Sequence, residues 1–215
     1  MTNNATPSGA LKIPGVLLAG GLARRMGGGD KAHRRIGGRT ILERVLDRLR
    51  TQCAGLILNA NVEAERFADT GLPVTADSLP DFPGPLAGIL AGLDWAAKHA
   101  PDIEWVVSAP SDCPFLPRDL VARLHEARLY ADAELACAGS RNRRHPVVGL
   151  WPAALREDLR RALTSEGVRK VGEWAMRYAL AVAEWPAGPV DPFFNINTPQ
   201  DLIEAEQLAA RYPEA

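Results

Sequence analysis

Between Ile13 and Ala19 the chain is apolar without a break, and Gly20-Gly21 stop it. A short apolar run ended by glycine reads as a buried strand entering a loop. That loop is itself rich in glycine, with Gly27-Gly28-Gly29 just before Asp30-Lys31. Beyond the loop, helical and strand patterns alternate. Thr40 to Arg50 is predicted to be an amphipathic helix, with Ile41, Leu42, Val45, Leu46 and Leu49 on one face and Thr40 with Glu43 as a capping box. Ala54 to Ala60 reads as a second buried strand ending at Asn59. A short helix over Val62 to Asp69 and a third strand over Leu72 to Ala76, ending at Asp77, come next. After a proline-rich loop from Ser78 to Pro85, Leu86 to His99 has a helical pattern. Glu104 to Ala109 is a fourth strand, ending at Pro110-Ser111-Asp112. Pro117 to Tyr130 is a helix with Pro117 near its first turn.

Strands alternating with helices of this length predict an α/β fold, with a mostly parallel sheet covered by helices on both faces. In such sheets ligands bind beyond the carboxyl ends of the strands. Gly20, Asn59, Asp77 and Asp112 each fall at such an end and are expected to converge on one crevice.

The second half is less regular. Leu135 to Ala138 and Pro146 to Leu150 look like strands flanking a basic loop, Arg141-Asn142-Arg143-Arg144-His145. Ala153 to Leu163 and Val168 to Tyr178 look helical, and Leu180 to Glu184 reads as a short strand. Thr198 is placed to cap a last helix opening at Pro199. No repeat and no long linker divides the chain. Residues 1–12 are expected to be a disordered tail, and 13–215 a single domain.

Composition narrows the functional classes. A chain of 215 residues with 47% hydrophobic and 24% charged residues suits a soluble α/β enzyme. A net charge of -1 argues against general nucleic-acid binding. Cys53, Cys113 and Cys137 are far apart and form no CxxC pair, so neither a zinc site nor a disulfide framework is indicated, and a reducing compartment fits. The N-terminus lacks a signal-peptide pattern, and no apolar run reaches 18 residues. A cytoplasmic protein with no membrane partner is expected.

Four segments carry chemistry. The stretch Leu18-Ala19-Gly20-Gly21 through Arg24, Arg25 and Lys31 offers unobstructed backbone N–H groups and cations, a combination that holds phosphates. It is not a Walker A loop, because no Gly-Lys-Ser/Thr occurs. Asp112, in Ser111-Asp112-Cys113-Pro114, is either a turn-forming aspartate or a magnesium ligand beside a triphosphate. Cys113 has no identifiable base and reads as packing. Asn195 and Asn197 alternate in Asn195-Ile196-Asn197-Thr198-Pro199, so both side chains are expected on one side of an extended segment. They either brace the turn before the last helix or face a ligand. The loop Arg141 to His145 is either a solvated turn or a holder for an anionic substrate. His33, His99 and His125 read as surface or packing residues.

In order along the chain, Leu18-Ala19-Gly20-Gly21, Arg25-Met26-Gly27-Gly28-Gly29-Asp30-Lys31, Asn59-Ala60-Asn61, Asp77-Ser78-Leu79, Pro83-Gly84-Pro85-Leu86-Ala87-Gly88, Asp112-Cys113-Pro114, His145-Pro146 and Asn195-Ile196-Asn197-Thr198-Pro199 resemble the molybdenum cofactor guanylyltransferase family, over about Gly15 to Gln207. The resemblance implies a three-layer, Rossmann-like nucleotidyltransferase fold. It implies transfer of GMP from GTP to the phosphate of molybdopterin, with release of pyrophosphate. It places GTP on Leu18, Ala19, Gly20, Gly21, Lys31, Asn59, Asp77 and Asp112, with Mg2+ on Asp112. Arg25, Lys31 and Asp112 are the implied catalytic residues. With the glycine loop and early strand ends taken by GTP, the second substrate is expected against the C-terminal half, where Asn195 and Asn197 would help position it. Molybdenum-insertion and molybdoenzyme maturation proteins are implied as further partners. Within the same class, a CTP-using enzyme or one with a sugar-phosphate acceptor is the alternative. An NAD-binding oxidoreductase would want an acidic residue where the second strand instead ends in Asn59. A non-catalytic GTP sensor remains a further alternative.

Overall fold

A computed structural model describes residues 13–20, 33–62, 64–79 and 84–214. The proposed tail and the glycine-rich residues 21–32, with Gly21, Arg25 and Lys31 among them, lie outside the described residues.

The elements, in chain order, are β1 (Gly15–Leu18), β2 (Arg35–Ile36), β3 (Arg39–Thr40), α1 (Ile41–Leu49), β4 (Leu56–Asn59), a 3-10 turn (Ala64–Thr70), β5 (Val74–Thr75), α2 (Pro85–His99), β6 (Trp105–Pro110), α3 (Leu120–Tyr130), β7 (Leu135–Ser140), β8 (Arg143–Pro152), α4 (Arg156–Thr164), α5 (Val171–Ala175), β9 (Leu180–Trp185) and α6 (Pro199–Arg211). Seven strands form one sheet in the order β5-β4-β1-β6-β8-β7-β9. Among these described strands only β8 runs antiparallel to its neighbours. The expected mostly parallel sheet is therefore present.

Period-two alternation divides the core. Leu17, Leu58 and Val107 pack on one face with Leu42, Val45, Leu46 and Leu49 of α1 and Leu120, Val121 and Leu124 of α3. Their chain neighbours Val16, Ile57 and Val106 pack on the other face with Ile89, Leu90 and Leu93 of α2, Leu159 of α4 and Trp174 of α5. Both faces being covered explains why these strands read as unbroken apolar runs. A third cluster seats α6 against β2: Ile36, Ile41, Phe115, Ile196 and Ala205 close it.

Two caps hold where the sequence placed them. Thr40 Oγ1 accepts from Glu43 N at 3.0 Å, and Glu43 Oε2 accepts from Thr40 N at 2.6 Å. Thr198 and Asp201 form the same reciprocal pair before α6. Each such cap is worth about 1 kcal/mol.

Three expectations shift. The helix expected from Pro117 begins at Leu120, after Asp119. Asp119 is at the cap position, but its carboxylate accepts from Trp185 Nε1 instead of a first-turn amide. The helix expected over Val168 to Tyr178 is only α5 (Val171–Ala175). The basic loop is not a loop: β7 and β8 continue through it, leaving Arg141 and Asn142 as the hairpin tip, with φ of 51° and 59°. Two successive positive-φ residues mark a two-residue turn that matches the twist of the strands. Arg143, Arg144 and His145 are thus strand residues whose directions the pleat fixes.

Candidate active site

From β1 the chain works outward to β4 and β5, then returns through α2 to place β6 on the other side of β1. Strand order therefore reverses between β1 and β6. At such a switch point the loops part and leave a crevice beyond the carboxyl ends. Backbone hydrogen bonds keep those ends level: Ala19 N donates to Asn59 O at 2.9 Å, Ser111 N to Leu18 O at 3.1 Å, and Ala60 N to Thr75 O at 3.0 Å.

A cavity of about 280 Å³ occupies this crevice. Leu18 and Gly20 follow from β1, Asn59 and Asn61 from β4, Asp77 from β5, and Pro110 and Asp112 from β6. The four strand-end residues expected to converge do so. Ala19 packs partly buried beside them, on the core side.

Asn59 and Asp77 form one unit. Asn59 is 3% exposed, and its Nδ2 donates to Asp77 Oδ1 at 2.9 Å and Thr75 O at 3.3 Å. Asn61 Nδ2 donates to Asp77 Oδ2 at 2.6 Å, while Asn61 Oδ1 accepts from Asp77 N at 2.8 Å. Both carboxylate oxygens of Asp77 are thereby engaged, and Asp77 is fixed at the cavity edge. Sequence reasoning alone does not single out Asn61 as a site residue. The signal that could have found it is the Asn-x-Asn alternation, the same one that marks Asn195 and Asn197.

α2 closes the cavity floor. Gly84, at φ 135°, turns the chain into Pro85, and both line the cavity. No acidic residue stands in the first turn of α2, so its N-terminus presents a positive dipole end to the cavity. Gly88, one turn later, lets the helix reach the sheet. A Cβ there would lie 2.4 Å from Asn59 Oδ1 and 2.7 Å from Leu18 Cδ2.

Asp112 follows β6, half-buried, and its carbonyl accepts from Ile196 N at 3.1 Å. Cys113 beside it is 2% exposed, with its thiol 3.9 Å from Phe193 O, as a packing residue should be. Burial pushes the other two thiols up, Cys53 to about 12 and Cys137 to about 11, so neither is a nucleophile at neutral pH.

Pro110, Val147 and Asn195 also line a second cavity, of about 490 Å³. Its remaining wall includes Arg141, Arg143, Arg144, His145 and Asn197. Asn195 and Asn197 are exposed on one side, and Ile196 between them is fully buried, so the alternation read from sequence is real. Asn195 borders both cavities, whereas Asn197 borders only the larger. The bracing of α6 runs through the backbone N–H groups of Asn197 and Thr198, both donating to Asp201 Oδ2. Val147 is held by Ser108, whose hydroxyl donates to Val147 O at 2.7 Å and accepts from Trp151 Nε1 at 2.8 Å.

The family described as MobA-like NTP transferase domain matches residues 15–180. A protein of Rhodopseudomonas palustris (strain HaA2) named molybdenum cofactor guanylyltransferase is 61% identical over 201 residues, covering 94% of each chain. The chain belongs to the molybdenum cofactor guanylyltransferase family. As a member of that family it is a nucleotidyltransferase. The fold agrees. The crystal structure of molybdopterin-guanine dinucleotide biosynthesis protein A from Archaeoglobus fulgidus superposes with a TM-score of 0.72 at 24% identity, over 93% of this chain and 100% of that one. A Mycobacterium tuberculosis protein solved in complex with manganese superposes at 0.66 with 19% identity, over 91% of this chain and 98% of that one. Among the described residues no helix is long and apolar enough to cross a membrane.

Proposed function

We propose that this guanylyltransferase-family chain transfers GMP from GTP to the terminal phosphate of molybdopterin. The observation that carries this reading is the pair of adjoining cavities. One lies at the switch point, and the other is lined by arginines, with Pro110, Val147 and Asn195 common to both. Two substrates seated on either side of that boundary would meet with their phosphates in contact.

An oxygen of the pterin phosphate attacks the α-phosphorus of GTP. The new P–O bond forms as the α–β bridge breaks, and pyrophosphate leaves with the electron pair. A phosphate monoester is already ionised near pH 7, so no side chain has to take a proton. The protein's contribution is alignment and charge neutralisation. Leu18, Ala19, Gly20 and Gly21 would pass beneath the triphosphate, aided by the positive end of α2, with Arg25 and Lys31 as its cations. Asn59 and Asp77 would hold the base or ribose. Asn195 and Asn197, with the hairpin arginines, would hold the pterin and its phosphate.

Asp112 suits Mg2+. That ion takes one or two carboxylates with phosphate oxygens and water, and Asp112 supplies a carboxylate where the strand ends meet. When bound, the ion would neutralise charge among the crowded phosphates. A cytoplasmic setting, and contacts with molybdenum-insertion and molybdoenzyme maturation proteins, belong to the same reading.

The test supplies purified protein with Mg2+, molybdopterin and each of GTP, ATP, CTP and UTP in turn. Dinucleotide and pyrophosphate should form in equal amounts, fastest with GTP. Equal rates with all four, or transfer to a sugar phosphate instead of the pterin, would overturn it.

A further inference from the structure

His145 stands in the wall of the larger cavity and has no part in the phosphoryl chemistry. Its ring lies against Phe193, with centroids 4.8 Å apart. Its Nε2 is 2.8 Å from Ser140 Oγ. Ser140 is 1% exposed, and its hydroxyl donates to Asp191 Oδ1 at 3.0 Å. Asp191 is pinned in turn: Oδ1 also accepts from Phe193 N at 3.0 Å, and Oδ2 pairs with Arg141 Nε at 3.3 Å.

Counting protons fixes the tautomer. Asp191, ion-paired and accepting two hydrogen bonds on one oxygen, has only acceptors to offer. Ser140 has one proton, and Asp191 takes it. The contact between Ser140 Oγ and Nε2 then requires the proton on Nε2. A neutral imidazole protonated at Nε2 carries its lone pair on Nδ1. Burial, with Arg143 adding to it, holds the ring below its ordinary pKa, against the opposing pull of Asp191 and Glu184. Among the described residues nothing hydrogen-bonds to Nδ1.

We infer that His145 is a specificity-determining residue for the second substrate: locked by the Ser140–Asp191 pair as the Nε2–H tautomer, it presents Nδ1 as an acceptor to an N–H donor of a nitrogen heterocycle. The arginines around it select for anionic groups; His145 adds a neutral ring acceptor whose direction Ser140 fixes. This rests on the acceptor being molybdopterin, whose pterin ring carries such N–H groups. A phosphate or sugar offers no ring N–H at all.

The test reads the tautomer directly. Long-range 1H–15N spectra of wild-type protein at pH 7.5 should show His145 neutral with its proton on Nε2. Saturating molybdopterin should shift the Nδ1 resonance in the sense of hydrogen-bond acceptance. In Ser140→Ala the two tautomers should mix, the KM for molybdopterin should rise about tenfold, and the KM for GTP should hold. An Nδ1–H tautomer in the wild type, or an Nδ1 resonance that molybdopterin leaves in place, overturns the assignment. So does an unchanged molybdopterin KM in a Ser140→Ala protein whose tautomer has mixed. Should Ser140→Ala not fold, the wild-type titration decides alone. Wild-type protein that fails to turn molybdopterin over sinks the proposed function itself, a result distinct from turnover with an indifferent His145.

Discussion

Asp112 is where two roles of one residue separate. Its carbonyl is structural, receiving Ile196 N, and the residue lines the switch-point cavity in which the nucleotide is proposed to sit. Asp112→Asn should therefore keep the fold, with a melting temperature near that of the parent. Turnover should drop by at least about a hundredfold, since the carboxylate proposed to hold Mg2+ loses its charge. Magnesium-dependent turnover at the parental rate would remove Asp112 from the chemistry. The paired asparagines separate in another way. Because Asp201 braces α6 through backbone N–H groups, Asn195→Ala with Asn197→Ala should leave stability close to normal. The KM for molybdopterin should rise more than that for GTP. A large fall in melting temperature with the acceptor KM unmoved would make both residues structural. His145 adds a dependence on pH. Its folded pKa lies below the ordinary 6.5, so the folded state prefers the neutral ring. The stability from that preference is complete above pH 6.5 and drains away as pH falls through the lower folded value. His125 is depressed in the same direction, chiefly by burial, so it contributes a parallel slope. Urea midpoints measured from about pH 7.5 to about pH 5 should therefore fall less steeply in His145→Gln than in the parent. Identical slopes would show that His145 titrates as it does in the unfolded chain.

At the level of elements, the close approach of α2 to the sheet ties helix packing to residues that line the switch-point cavity. Gly88 leaves room for Asn59 Oδ1 and Leu18, and Gly92, one turn on, leaves room for Val16 in the same way. Gly88→Ala should force Asn59 aside and loosen its bond to Asp77. Overpacking of this kind costs about 1–3 kcal/mol. GTP binding should weaken more than that loss of stability explains, and calorimetry on the folded fraction would show it. An unchanged GTP affinity would mean that Asn59 and Asp77 do not touch the nucleotide. The hairpin of β7 and β8 makes the matching case on the side proposed for the acceptor. Arg143→Ala with Arg144→Ala should reduce molybdopterin affinity while sparing GTP, because both arginines line only the larger cavity. This hairpin also marks where sequence pattern runs out. Arg141 to Arg144 carry no apolar alternation, so polar strand residues look like loop. The deciding signal is backbone conformation at Arg141 and Asn142, which depends on pairing with residues near Ser140. The two-residue strands β2 and β3 escape for a related reason: Ile36 of β2 packs with α6, far along the chain, and β3 is held by its pairing with β2.

For the molecule as a whole, local and long-range information divide cleanly. The strands β1, β4 and β6 and the helices α1, α2 and α6 are legible because each has its own apolar period and, in α1 and α6, its own cap. The convergence of Gly20, Asn59, Asp77 and Asp112 is legible too, since a parallel sheet puts every strand end on one rim. The insertion of antiparallel β8 between β6 and β7 is not, because strand order is set by faces meeting across the sheet. Nor is the His145–Ser140–Asp191 chain, which joins three residues from β8, β7 and the segment before α6. Pro110, Val147 and Asn195 form a party wall, and a ligand with a moiety on each side of it occupies both rooms at once. Under the proposed function the dinucleotide product would be such a ligand, and tethering its two halves would make each raise the local concentration of the other. Added product should therefore compete with GTP and with the pterin alike, and it should leave slowly unless something downstream takes it. Progress curves should bend early and straighten when an acceptor apoenzyme is present to draw the product off.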